Sequence, residues 1–146
     1  MSASPAIILR NAQRKARVDT RELARFAQRA LRLCLEVTPA GEGDLGALQE
    51  ISIVLVSDRR MAALHKQFME IDGPTDVLTF QHGEIFVSVD TAAQNAAEFG
   101  TTAEHEIRLY IVHGFLHLHG FDDTEATKAR RMKATQERIL AAASAA

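Results

Sequence analysis

The hydrophobic positions of this chain follow two spacings, one typical of strands and one typical of helices. Residues 50–57 form an almost unbroken run of β-branched and apolar side chains, which predicts a central strand covered on both faces. Residues 7–9 predict a short first strand. Residues 77–80 and 84–89 predict two more strands, joined as a hairpin through residues 81–83.

Five stretches carry apolar side chains every three or four residues, the spacing of helices buried along one face. Polar residues that cap helices stand at the start of each stretch. The predicted helices begin at Asp19 or Thr20, at Asp58, at Asp90 or Thr91, at Thr101 or Thr102, and at Thr124. The first, third, fourth and fifth end near residues 35, 100, 118 and 140, and the alanine-rich tail beyond is expected to fray.

This order of elements predicts a single α/β (α+β) domain over residues 1–146, with a mixed four-stranded sheet and about five helices packed on it. A chain of 146 residues with 47% hydrophobic and 25% charged residues has the composition of one globular domain. Its apolar runs are too short to span a membrane, so no membrane contact is expected. The lone Cys34 cannot form an internal disulfide, which favours a cytoplasmic location.

The strongest chemical signal is the pattern His-x3-His-x2-Gly-x2-Asp, formed by His113, His117, Gly120 and Asp123. On a helix over 102–118 the two imidazoles project from one side, about one turn apart. A glycine turn then brings a carboxylate back towards them. Three such ligands with an open fourth position are typical of a catalytic zinc site, so we expect one divalent metal, zinc first, at the end of this helix.

Two other interpretations of the motif stay open. His119 is a rival third ligand, although it lies on a different part of the helix surface from His117. The histidines could also be satisfied by ordinary hydrogen bonds. A peptidase is disfavoured, because zincin proteases carry a glutamate directly after the first histidine, where this chain has Gly114.

The net charge of −2 hides an uneven distribution. Residues 1–32 carry a net charge of +6, so the remainder carries −8, an asymmetry that hints at nucleic-acid contact. Within this segment Arg21, Arg25, Arg29 and Arg32 form a stripe along the first helix, and we expect it to contact nucleic-acid phosphates. A solvated helix face explains the stripe equally well.

Two stretches together resemble a known family. Residues 72–80 read Asp-Gly-Pro-Thr-Asp-Val-Leu-Thr-Phe and are followed by Gly-Glu-Ile at 83–85; residues 113–123 read His-Gly-Phe-Leu-His-Leu-His-Gly-Phe-Asp-Asp. This combination resembles the YbeY family of bacterial rRNA maturation factors, over roughly residues 50–140. The resemblance implies a metal-dependent, single-strand-specific endoribonuclease that acts on ribosomal RNA in ribosome assembly and quality control, with no nucleotide cofactor.

Two positions depart from the family pattern. The third zinc ligand is usually histidine, where this chain has Asp123, and a carboxylate also binds zinc but admits harder cations. Many members carry an arginine tied to nuclease activity where this chain has Met69. The alternative is therefore a non-catalytic, metal-containing ribosome assembly factor. No catalytic base is identified; Asp72, Asp76 and Glu84 could orient the site or simply shape a turn.

Overall fold

The structure is a computed structural model that describes residues 4–145, and a four-stranded sheet forms its centre. The strands are β1 (Ala6–Asn11), β2 (Glu50–Val56), β3 (Val77–Phe80) and β4 (Glu84–Ser88). They lie in the order β1-β2-β4-β3. Strand β2 is parallel to both β1 and β4, whereas β3 pairs antiparallel to β4 through the predicted hairpin. The sheet is therefore mixed, as predicted.

Residues 4–145 form five α-helices around this sheet, some packed on it and some on the other helices, which confirms the predicted fold class. They are α1 (Thr20–Leu35), α2 (Asp58–Met69), α3 (Val89–Phe99), α4 (Ala103–Leu118) and α5 (Ala126–Ser144), with a short 3-10 helix at Leu45–Ala47. Asp19 caps α1 and Thr102 caps α4, each accepting a backbone N–H of the first turn. The 3-10 helix was not predicted, because it lies in a glycine-rich loop without helical periodicity.

The cap of α2 differs from the prediction. Ser57 accepts the first-turn N–H, whereas the carboxylate of Asp58 accepts the hydroxyl groups of Ser88 and Thr91. Asp58 therefore joins the start of α2 to the start of α3. Helix α3 begins at Val89, slightly earlier than predicted, because Ser88 is its cap.

The last helix is also shifted. Thr124 was expected to open it, but its amide and hydroxyl both donate to Asp122, and the helix starts two residues later. The predicted end at Leu140 and the frayed tail were wrong. The helix continues to Ser144, because Ala143 is buried and its carbonyl accepts a 2.8 Å hydrogen bond from Arg29 Nε.

The two faces of the sheet bury separate sets of side chains. One face packs against α1 and α4, with α5 packed on these two helices, and the other face packs against α2. Residues on the first face include Ile51, Ile53, Leu55, Ile85 and Val87. Residues on the second are Val54, Val56, Leu78 and Phe86, against Met61 and Leu64 of α2. Strand β2 thus contributes to both clusters, as its apolar run predicts.

Cys34 lies in the core against this sheet and is fully buried. Burial raises the pKa of its thiol to about 12, so the side chain packs as a small apolar group. Among residues 4–145, no helix combines the length and the apolar character needed to cross a membrane.

Helix α4 approaches the sheet closely at Gly114. A Cβ at this position would lie 2.9 Å from Ile85 Cδ1 and 3.0 Å from Ile85 Cγ2. Because such distances are well inside van der Waals contact, a side chain at residue 114 would push the helix away from β4. The absence of a side chain at Gly114 therefore allows the short distance between α4 and the sheet.

Gly114→Ala should lower the free energy of unfolding by up to about 2 kcal/mol, because overpacking costs about 1–3 kcal/mol and alanine recovers roughly 1 kcal/mol relative to glycine in a helix. Urea unfolding measures the change. The same substitution in an Ile85→Ala background should cost nothing or stabilise the protein. An equal loss in both backgrounds would show that the contact with Ile85 is not the cause.

Candidate metal centre

His113 and His117 lie on one side of α4, each half-buried, as the four-residue spacing predicts. Their ring centroids are 4.5 Å apart and their ring planes are nearly perpendicular. The two Nε2 atoms face each other at 2.9 Å. The imidazoles therefore meet through the nitrogens that would bind a shared cation.

The chain turns back towards these rings at Gly120, whose φ of +90° favours glycine. A Cβ at Gly120 would lie 2.5 Å from Gly41 N, so a second glycine loop presses directly against the turn. The turn brings Asp123 to the histidines. His113, His117 and Asp123 each offer one ligand atom, and these three atoms all lie within 4.8 Å of one another.

Hydrogen bonds on the far side of each ring fix the protonation of the two histidines. The Nδ1 of His117 lies 3.0 Å from the carbonyl of Phe121, which only accepts, so this nitrogen carries a proton. The Nδ1 of His113 lies 2.7 Å from Gln136 Oε1 and donates to it in the same way. When both rings are neutral, both Nε2 atoms therefore present lone pairs to each other. Two lone pairs at this distance repel unless a cation lies beside them.

The charge state of His117 suits a metal ligand. Burial lowers the pKa of its imidazole, and the neighbouring His113 lowers it further, against the opposing effect of Asp123. A lowered pKa keeps the ring neutral near pH 7, which is the form of histidine that binds metals. The exposed Asp123 leaves one side of the cluster open to solvent.

The rival ligand His119 points elsewhere. Its Nδ1 accepts the amide N–H of Leu45 at 3.1 Å, and its Nε2 donates to the carbonyl of Val37 at 2.6 Å. The residue is only 2% exposed. Both ring nitrogens are thus occupied in tying the end of α4 to the loop before β2, and neither is free for a cation.

The acidic residues considered for orientation lie in other contacts. Asp76 Oδ1 accepts the amide of Val77, so it shapes the start of β3. Asp72 is exposed and pairs with Lys66, and Glu84 pairs with His82. None of the three belongs to the metal-type cluster found among residues 4–145.

The arginine stripe on α1 is partly used inside the fold. Arg25 and Arg29 both pair with Glu22, and the side chain of Arg29 is only 22% exposed. Arg108 of α4 also approaches Glu22 and stacks over a ring of α1. Because His113 follows Arg108 by about 140° around the helix axis, α1 and the metal-type cluster lie on different sides of α4.

Sequence reasoning missed Gln136 and the carbonyl of Phe121, the two groups that orient the histidines. Gln136 lies 23 residues after its partner, on α5, so no local spacing could reveal it. The Phe121 carbonyl is a backbone group and leaves no mark in the sequence. Both depend on how the chain turns after α4.

The fold and these contacts define an α+β domain with a His-His-Asp cluster of metal-ligand type, formed by helix α4 and the turn that follows it. A family model described as Endoribonuclease YbeY matches residues 8–144. An Endoribonuclease YbeY from Moorella thermoacetica is 36% identical over 126 residues, covering 73% of this chain and 80% of its own. One from Lactococcus lactis is 31% identical, covering 85% and 86%.

A solved structure agrees with these sequence matches. The solution structure of TM1509 from Thermotoga maritima superposes with a TM-score of 0.65 at 28% identity, covering 92% of this chain and 86% of that one. This chain belongs to the YbeY family.

Asp123→Ala should lower metal affinity by orders of magnitude, because two histidines remain, and Asp123→His should restore binding and favour zinc. His119→Ala should leave affinity unchanged but cost about 1–3 kcal/mol of stability, because two buried backbone groups lose their partner. Titration with a chelating metal indicator and urea unfolding give the two readouts. A requirement for His119 with Asp123 dispensable would contradict the assignment.

Gln136→Leu should lower metal affinity about 10–100-fold, because His113 loses the acceptor that fixes its Nδ1 proton. Gln136→Glu should retain or raise affinity, since a carboxylate can only accept that proton. The same titration measures both variants. If leucine and glutamate behave alike, Gln136 fills space and does not orient the ring.

Proposed function

We propose that this protein is a metal-dependent endoribonuclease that cleaves single-stranded RNA in the cytoplasm, during ribosomal RNA maturation and ribosome quality control. The family supports the activity, since its model and the relatives from Moorella and Lactococcus are named endoribonucleases. The observation that carries the proposal is the pair of Nε2 atoms facing each other at 2.9 Å beside Asp123. The partner we propose is ribosomal RNA, free or in a ribosomal subunit.

The donor set fits one divalent cation, with zinc as the first choice. Two imidazoles and one carboxylate match zinc in ligand type, and they leave a coordination position open. A cation held there supplies Lewis-acid polarisation of a phosphate oxygen. Asp123 in the third position also admits manganese or iron, because carboxylate oxygen is a harder ligand than imidazole.

The protein's own contribution is orientation and access. Gln136 and the Phe121 carbonyl fix the two rings, so the donors are positioned before substrate arrives. The exposed Asp123 keeps the site open enough for a polymer. Gly114 faces Ile85 with no room for a side chain, so the glutamate that a zincin peptidase needs there is excluded.

A second function is favoured by the end of α2. Met69 stands where many family members have arginine, and its side chain is 53% exposed beside the exposed apolar side chains of Phe68 and Ile71. An apolar surface in place of a cation suits a protein contact better than a phosphate contact. The alternative is therefore an assembly factor that binds a ribosomal partner and uses its metal only structurally.

Purified protein of known metal content should cleave an unstructured RNA and lose cleavage on chelation. His113→Ala should abolish both metal binding and cleavage, because the ring supplies one of three ligands. His65→Ala and His82→Ala are matched controls that should retain both, since those rings bond Gly73 and Glu84 instead. Gel assays with metal analysis measure the four proteins.

The same assay separates the two functions. Metal that binds through His113 without any RNA cleavage would establish the assembly factor. Met69→Arg then tests whether the missing family arginine limits cleavage. Under the nuclease proposal it should raise cleavage, because it restores a cation that can hold a phosphate.

We further propose that the exposed arginines of α1 contact RNA backbone at a distance from the metal. Arg21, Arg25 and Arg32 are exposed, whereas Arg29 is committed to Glu22 and Ala143. Replacing the three exposed residues by glutamine should weaken RNA binding and flatten its salt dependence by about 0.7 units of slope for each phosphate that is no longer neutralised. Unchanged affinity and slope would make the stripe a solvated face.

A further inference from the structure

The first half of α5 carries a second basic cluster that the charge of the N-terminal segment obscures. Lys128, Arg130, Arg131 and Lys133 fall within six residues, and residues 126–136 contain no acidic side chain. All four are exposed. This basic surface of α5, defined by these four residues, follows directly after the turn that carries Asp123.

Contacts at the start of α5 tie this surface to the metal-type cluster. Lys128 Nζ lies 3.7 Å from Asp122, and the guanidinium of Arg131 lies 5.2 Å from the ring centre of Phe121. These two partners immediately precede Asp123 in the chain. A cavity of about 120 Å³ lies between Lys128, Arg131 and the facing glycine loops.

The other end of the surface also meets the cluster. Gln136, three residues after Lys133, holds His113 Nδ1. The basic segment therefore lies on α5 between its contact with the residues before Asp123 and its contact with His113. At about 100° per residue, Lys128 and Arg131 lie on one flank of α5 and Arg130 and Lys133 on the other, so the four cations together cover its exposed side. An anionic polymer that crosses this side passes close to both contacts with the cluster.

Most of this charge is not neutralised within the protein. Throughout residues 4–145, no carboxylate oxygen lies within 4.0 Å of a charged nitrogen of Arg130, Arg131 or Lys133. Clustered cations without counter-charges repel one another. Lys128 is also unfavourable for the helix, because it lies in the first turn, at the positive end of the dipole, and that turn has no acidic residue.

The three cations without a carboxylate partner are explained by an external anion. The large exposed apolar side chains lie elsewhere, at Ile8, Phe68, Met69, Ile71 and Phe99. The α5 surface therefore lacks the apolar centre of a protein interface. Lysine and arginine side chains in series are what a phosphate backbone recruits.

We propose that the basic surface of α5 binds the RNA backbone and leads it past the metal centre. This inference rests on the proposed function and names where its substrate lies. Lys128 and Arg131 hold a phosphate beside the turn that carries Asp123, and Arg130 and Lys133 hold further phosphates where the backbone crosses to the other flank of the helix. The contacts are to phosphate and carry no sequence information.

The test compares two triple variants with the same change in charge. The first is Arg130→Gln, Arg131→Gln and Lys133→Gln. The control is Arg59→Gln, Arg60→Gln and Lys66→Gln, three exposed residues of α2, which packs on the opposite face of the sheet. Binding to a nuclease-resistant 2′-O-methyl oligouridylate is measured by fluorescence anisotropy over a range of salt concentrations.

The α5 triple should bind at least tenfold more weakly, with the salt slope reduced by about 2, because three cations no longer neutralise phosphates of the single strand. The α2 triple should change neither quantity substantially. A charge-preserving variant, Arg130→Lys with Arg131→Lys, should retain binding. Equal losses in the two triples, or an α5 triple that binds like the parent protein, would overturn the proposal.

Cleavage of unmodified RNA separates this inference from the proposed function. If the parent protein cleaves RNA while the α5 triple binds normally, only the α5 surface is wrong. If the parent protein neither binds nor cleaves RNA, the endoribonuclease proposal fails and the α5 surface fails with it. Thermal unfolding by circular dichroism confirms that the exposed substitutions leave the fold intact.

Discussion

The close approach of α4 to the sheet is the contact on which the rest of this structure depends. Gly114 lets the helix pack closely against Ile85, and α1, α3 and α5 pack around its remaining buried sides. With the helix fixed at that height, the side opposite α1 carries His113 and His117. The position of the candidate metal centre therefore follows from a residue that has no side chain.

The second constraint is electrostatic and lies in the two imidazoles. Each is oriented by an acceptor on its Nδ1, and the result is a pair of facing Nε2 atoms with an exposed carboxylate beside them. Without a bound cation this arrangement does not stabilise the fold, because two neutral rings place repelling lone pairs against each other. Protonation of His117 would relieve the repulsion, but the burial of its ring opposes it. A cation removes the conflict. The local geometry thus carries a functional signal that the His-x3-His spacing alone only suggests.

Charge is distributed over the molecule in a way that one-dimensional counting obscures. The arginine-rich α1 has the larger basic charge, but Glu22 neutralises part of it, and it lies across α4 from the histidines. The smaller basic cluster of α5 is embedded in an acidic remainder of the chain, and yet it adjoins the turn that carries Asp123. The two basic surfaces therefore differ in their distance from the candidate metal centre, and this difference is independent of the net charge of each segment.

The sequence by itself determined the elements of this fold, because buried faces impose periodicity: the apolar run of β2, the amphipathic α1 and the caps at Asp19 and Thr102 were all predictable. It also determined the two histidines, since helical spacing is local. Only the tertiary structure decided the role of His119, the partner of Gln136 and the true end of α5 at Ser144. Each of these depends on contacts between residues far apart in the chain, and no local pattern encodes which distant group will lie within hydrogen-bonding distance.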